Sequence, residues 1–283
     1  MKKVLIFFAI VIVIISALSL MMTFTHKMPI GEKIAVVRVT GMILDSTEVI
    51  DELKEYGSDS SVKAIILRVD SPGGGVAPSQ EIYDEVIKIK EKKKVIVSMG
   101  SVAASGGYYI SAPADRIVAN AGTLTGSIGV IMEIPNIEGL MQKIGVRAEV
   151  VKSGKHKDIA SVFKKMSPEE KDILQNVLDD VHEQFIEAVS KSRGMKVEDI
   201  RKLSDGRIFT GRMAKELGLV DELGNLEYAI KLAADMVGIK GEPDVLYRKD
   251  KFSVIDMIRG SMPRQLMDNV FSGISLKYML TPY

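Results

Sequence analysis

Ala64-Ile-Ile-Leu-Arg-Val-Asp70 runs directly into Ser71-Pro72-Gly73-Gly74-Gly75 and then into a helical pattern from Ser79, and the fold is read from this stretch. The first seven residues are mostly β-branched or leucine, the composition of a strand buried on both faces. Proline and three glycines break that strand. Beyond them Ile82, Tyr83, Val86 and Ile87 recur on one face of a helix. Glu81, Asp84 and Glu85 come early in that helix and Lys88 to Lys94 late, as the helix dipole favours. Val95 to Met99 supplies the next strand, so strand, glycine turn, helix and strand form one βαβ unit.

The same alternation extends in both directions. Upstream, Ile34 to Val39 is a buried-strand run, and Asp45 with Glu48 forms a capping-box pattern before Val49, Ile50, Leu53 and Tyr56 at helical spacing and a terminating Gly57. Downstream, strands are expected at Arg116–Asn120 and Ala148–Lys152, with a helix at Ile137–Ile144 between them. Ser167-Pro168-Glu169-Glu170 starts a long amphipathic helix that ends at Gly194. Helical stretches follow near Lys196–Leu203, Gly211–Leu217 and Leu226–Val237. Strands and helices taking turns specify an α/β fold of repeated βαβ units with a parallel sheet.

Composition narrows the chemistry. Thirty-eight basic against thirty-seven acidic residues leave a formal charge of +1 over 283 residues, without the basic excess that a nucleic-acid partner demands. There is no cysteine, which excludes disulfides, thiolate metal sites and a cysteine nucleophile. His26, His156 and His182 are too scattered for a histidine-rich metal centre, so no metal or cofactor is expected. At the amino end, Val4 to Phe24 is uncharged and apolar, long enough to span about 30 Å of hydrocarbon as a helix. A cleaved signal peptide has a shorter apolar core, usually ~7–15 residues, so a retained single-pass anchor is the favoured reading. Residues 1–3 are then cytoplasmic, 4–24 the transmembrane helix, 25–32 a linker, and the body from 33 is extracytoplasmic in a cell membrane.

Two loops carry candidate chemistry. Gly73-Gly74-Gly75 lets another backbone approach closely; the lysine and serine or threonine of a P-loop are missing, which leaves an oxyanion hole as the functional reading. In Met99-Gly100-Ser101-Val102-Ala103-Ala104-Ser105-Gly106-Gly107 a strand enters a helix through small residues, and Ser105 at the turn is a candidate nucleophile facing the positive helix end. Ser101 competes with it, and a plain helix cap is the structural alternative. A base is sought in Lys152-Ser153-Gly154-Lys155-His156-Lys157-Asp158, where His156 suggests a triad and Lys155 or Lys157 a dyad. Residue types alone do not choose between them.

In chain order, DSPGGG, SMGSVAASGGYYIS, TLTGSIGV, SGKHKDI and DGRIFTGRMAKELGLVDELG resemble the signal peptide peptidase A (protease IV) family in its short single-domain form. The resemblance covers the anchor and about residues 33 to 235. It implies a ClpP/crotonase-like peptidase domain over 33–240, homo-oligomeric assembly, and a serine-lysine dyad that cuts hydrophobic peptides such as signal peptides at the membrane. Carried over, Ser105 is the nucleophile, Lys157 the general base, Ser127 the residue that orients the lysine, and the amides of Gly74 and Ser105 the oxyanion hole. A stomatin-associated membrane protease of the same fold and a catalytically silent scaffold are the alternatives. The family motifs stop before the 241–283 segment, whose apolar, Met-rich end is read as an oligomer contact in preference to a surface-lying helix or a tail entering a peptidase groove.

Overall fold

The computed structural model describes residues 32–248 and 277–279. The expected membrane helix at 4–24 lies outside the described residues, and so does most of the segment after 248. Among the described residues no helix is long and apolar enough to cross a membrane.

In chain order the elements are β1 (Lys33–Thr40), α1 (Thr47–Ser58), β2 (Val62–Ser71), β3 (Gly73–Gly75), α2 (Val76–Lys90), β4 (Lys94–Ala104), α3 (Gly106–Ser111), β5 (Arg116–Ala119), β6 (Leu124–Gly126), α4 (Glu138–Lys143), α5 (Pro168–Arg193), α6 (Val197–Lys202), β7 (Ile208–Thr210), α7 (Gly211–Glu216), β8 (Glu222–Leu223), α8 (Leu226–Val237), β9 (Asp244–Tyr247) and β10 (Lys277–Met279). One eight-stranded sheet runs β7-β6-β4-β2-β1-β9, with β5 pairing both β4 and β8. Its pairings are parallel except that of β6 with β7.

Both faces of the sheet are covered, as expected for near-continuous apolar strands. Because side chains alternate along a strand, β1 sends Ala35, Val37 and Val39 to one side and Ile34 and Val36 to the other. The first side meets α1 through Leu53, α2 through Ile82 and Val86, and α5 through Phe185 and Val189. The second meets the α8 face made of Ala229, Ile230, Ala233 and Ala234. The long helix α5 opens on the anticipated capping box, with Ser167 and Glu170 bonding each other's backbone amides, and closes on left-handed Gly194.

Three expectations need correction. No strand forms at Ala148–Lys152: that stretch is irregular and exposed, pairs with no strand among the described residues, and leaves Val150 and Val151 in solvent. The Asp45–Glu48 capping box is absent, since Ser46 is the cap residue and Asp45 instead accepts from the Thr47 amide at 2.8 Å. Gly57 does not end α1, which continues to Ser58.

Candidate active site

Strand β4 is longer than its sequence pattern suggests because it bulges. Val69 pairs with Met99 and Ser71 with Ala103, so three residues of β4 stand opposite Asp70. The Asp70 carboxylate fills that bulge and accepts from the Val102 amide at 3.1 Å. Thr123 donates its hydroxyl to the Gly100 carbonyl at 2.7 Å, fixing the other side. The DSPGGG and SMGSVAASGG motifs are therefore two halves of one structure.

The bulge delivers Ser105 to the junction of β4 and α3. Its backbone sits at φ 52°, ψ −116°, a conformation that non-glycine residues rarely adopt and that costs of order 1–3 kcal/mol. Such strain at a strand-to-helix turn is how a nucleophile elbow exposes its hydroxyl to a substrate. The residue is 1% exposed, and its Oγ has no hydrogen-bond partner among the described residues. It does not cap α3 with its side chain. Ser101, its competitor, lies exposed on the bulge.

Ser127 stands beside Ser105. Ala104 pairs with Gly126, the Ser105 amide donates to the Gly126 carbonyl at 2.8 Å, and Ser127 follows at positive φ with its own amide held by the Arg207 carbonyl. This bond corrects the expectation that the Ser105 amide serves the oxyanion hole: it is already occupied, whereas the next one, Gly106, opens a helix and has no intrahelical acceptor.

Gly74 completes this side of the site. Gly73-Gly74-Gly75 is a strand, β3, held on one edge by Ile43, whose amide donates to Gly73 and whose carbonyl accepts from Gly75. On the other edge β10 pairs antiparallel, with Tyr278 opposite Gly74. Lys277 exchanges both of its bonds with Ile131 at 3.2 Å. Backbone groups alternate sides along a strand, so the amide and carbonyl of Gly74 and those of Tyr278 face each other. No side chain fits here: a Cβ on Gly73 would stand 1.9 Å from the Tyr278 carbonyl oxygen and 2.7 Å from the Gly106 nitrogen.

The segment expected to supply the base is apart from this cluster. Lys157 is exposed, in a run of turns, and makes no ion pair among the described residues. Asp158, its neighbour, is taken by Lys152 at 2.6 Å and Lys164 at 3.2 Å, which hold its carboxyl below the usual range. Lys155 pairs with Glu169 at 2.5 Å, and His156 Nε2 lies 3.4 Å from the same carboxylate. The structure thus assembles Ser105, Ser127 and Gly74, and leaves Lys155, His156 and Lys157 away from them. The surrounding 137–163 region exposes Leu140, Ile144, Val146, Val150, Val151 and Phe163.

A strained, buried serine at a strand-to-helix turn, beside a glycine strand built for a peptide backbone, is peptidase architecture. The family model of peptidase family S49 matches residues 87–240, and the Clp protease model matches 34–125. The chain belongs to peptidase family S49. Like others in this family it is a serine protease. A putative protease of Synechocystis is 45% identical over 79% of this chain and 80% of its own length. A putative signal peptide peptidase SppA of Enterococcus faecium is 39% identical over 71% of the chain and 62% of its own. Protease 4 of Salmonella typhi is 38% identical over 82% of this chain, which spans only 39% of that longer protein. The role of Asp70 in shaping the β4 bulge is not written in residue types; the proximity of an acidic residue to the glycine run is the signal that points to it.

Proposed function

We propose that this S49 protease is a membrane-anchored endopeptidase that cuts hydrophobic peptides, signal peptides among them, with Ser105 as nucleophile and Lys157 as base. The observation that carries the reading is Ser105, buried on a strained turn with its hydroxyl unpartnered among the described residues. Val4 to Phe24 supplies the anchor, with the body extracytoplasmic.

Neutral Lys157 takes the Ser105 proton as the oxygen attacks the carbonyl, and Ser127 orients the amine. The amides of Gly74 and of Gly106, the residue following Ser105, hold the oxyanion. The lysine then returns its proton to the leaving amine. A lysine near its reference pKa of ~10.4 is protonated at neutral pH, so it needs desolvation before it serves as a base. An exposed Lys157, within a region that also exposes Leu140, Ile144, Val150 and Phe163, meets that need when a second copy of the chain buries it against its own Ser105. The active enzyme is accordingly a homo-oligomer whose sites lie between copies.

Subunit mixing tests this. Ser105→Ala and Lys157→Ala are each inactive alone; random co-assembly of equal amounts restores about a quarter of wild-type activity when each site takes one residue from each copy. If no activity returns although the copies exchange, the dyad forms within one chain or does not exist.

A further inference from the structure

The residue after Lys157 is an aspartate, and the structure keeps its charge away from the lysine. Lys152 Nζ donates to the Asp158 carboxylate at 2.6 Å and to the Lys155 carbonyl at 3.0 Å, so one ammonium straps the turn that carries Lys157. Lys164 Nζ lies 3.2 Å from the same Asp158 oxygen and is shared with Glu170. Lys155 and His156 both face Glu169. Lys152, Lys155 and Lys164 are thus matched by Asp158 in the loop and by Glu169 and Glu170 in the first turn of α5. From α4, Glu138 accepts the Lys165 backbone amide at 2.8 Å. Lys157 is left over, with no acid in ion-pair reach among the described residues. The backbone sets this division: the Lys157 amide donates to the Gly154 carbonyl and the Ile159 amide to the His156 carbonyl, each at 3.1 Å, and Ala160 is buried at φ 62°. The Asp158 side chain is only 12% exposed, while Lys157 stands in solvent.

A carboxylate one residue away is otherwise the easiest counter-ion for a lysine to find, because pairing with it closes almost no loop. Beside an ammonium, a carboxylate favours the charged form, which cannot take a proton. We infer, on the reading of Lys157 as the base, that Lys152 and Lys164 are positioning residues of the dyad: by holding the Asp158 carboxylate they deny Lys157 a counter-ion, so that it meets Ser105 without one. Both act through Asp158 and need touch neither Ser105 nor the substrate. A segment rich in lysine then presents one reactive amine, because the lysines around it are neutralised where they stand.

The test measures kcat/KM against pH on one hydrophobic peptide, with full-length protein in detergent. In the Lys152→Met, Lys164→Met double variant the freed carboxylate is expected to move the acid limb up by about one pH unit, which lowers kcat/KM roughly ten-fold on the rising side of the profile. Adding Asp158→Asn is expected to bring the limb back, and Lys152→Arg with Lys164→Arg to leave it at the wild-type position. Asp158→Asn alone is expected to move the limb far less than it does in the double variant, because in wild type that charge is already held. Removing Lys164 also strips Glu170 of its cation, but a loosened loop or fewer intact sites lower the plateau and leave the limb where it was. Three results each overturn the inference while an inactive Lys157→Ala keeps the dyad standing: an unmoved limb in the double variant, an Asp158→Asn shift of equal size in both backgrounds, or lost turnover that Asp158→Asn does not restore. Turnover by Lys157→Ala, by contrast, removes the base and both readings with it.

Discussion

Asp70 occupies the space that a side chain on Gly100 would need: a Cβ at Gly100 would lie 2.6 Å from the Asp70 Cγ. The carboxylate in turn holds the Val102 amide, and through it the bulge that aims Ser105.

Gly100→Ala is therefore expected to force the carboxylate or the bulge aside. We expect a loss of roughly 1–3 kcal/mol in denaturant unfolding and a fall in turnover larger than that of Ser101→Ala, since Ser101 is exposed. A Gly100→Ala protein with wild-type stability and rate would show that the bulge does not position Ser105.

Ser105→Ala is expected to lower kcat by at least about a thousand-fold, with Ser101→Ala close to wild type. Ser105→Gly is equally inactive yet more stable than Ser105→Ala by about 1 kcal/mol, because glycine accepts positive φ without strain. Equal unfolding midpoints for the two variants would mean that the turn stores no strain.

His156→Ala is expected to retain most activity and Lys157→Ala to have none, in steady-state assays on one peptide. His156 lies against Glu169, not Ser105. Reversal of the two results would replace the dyad with an imidazole mechanism.

Glu170 is pulled down to about 2, first by Lys164 and then by the Ser167 amide, from an ordinary 4.5. A depressed carboxyl stabilises the fold fully above its unfolded value and loses that contribution as pH falls through the folded one. The stability gap between wild type and Glu170→Gln is thus expected to be widest at neutral pH and to narrow between about pH 4.5 and 2, by urea midpoints. A gap that stays constant over this range would mean that the ion pair and cap do not stabilise the fold.

Strands β1, β2 and the first half of β4 were legible because long β-branched runs buried on both faces have few other solutions. The opening of α5 was legible because its capping signals are local. Strand β3 was not: three glycines have the weakest strand preference, and these extend because Ile43 and Lys277–Met279 flank them. Strands of two or three residues, such as β6, β7 and β8, are too short to show a period. Val150 and Val151 read as strand because residue type says nothing about whether a segment reaches a strand to pair with. Ser105, Ser127 and Gly74 were marked by the family motifs, and the structure brings them together; Lys157, marked in the same way, stands apart.

The pairing of Lys277–Met279 between two main-chain edges has a further consequence. Hydrogen bonds to a backbone are offered alike to every polypeptide, but only to one whose own amides are vacant. A folded protein has already spent them on its helices and sheets. A groove of this kind discriminates by the state of its target more than by its spelling: a released, unstructured segment can slide in, and an intact folded neighbour is passed over without any signal to mark it as self.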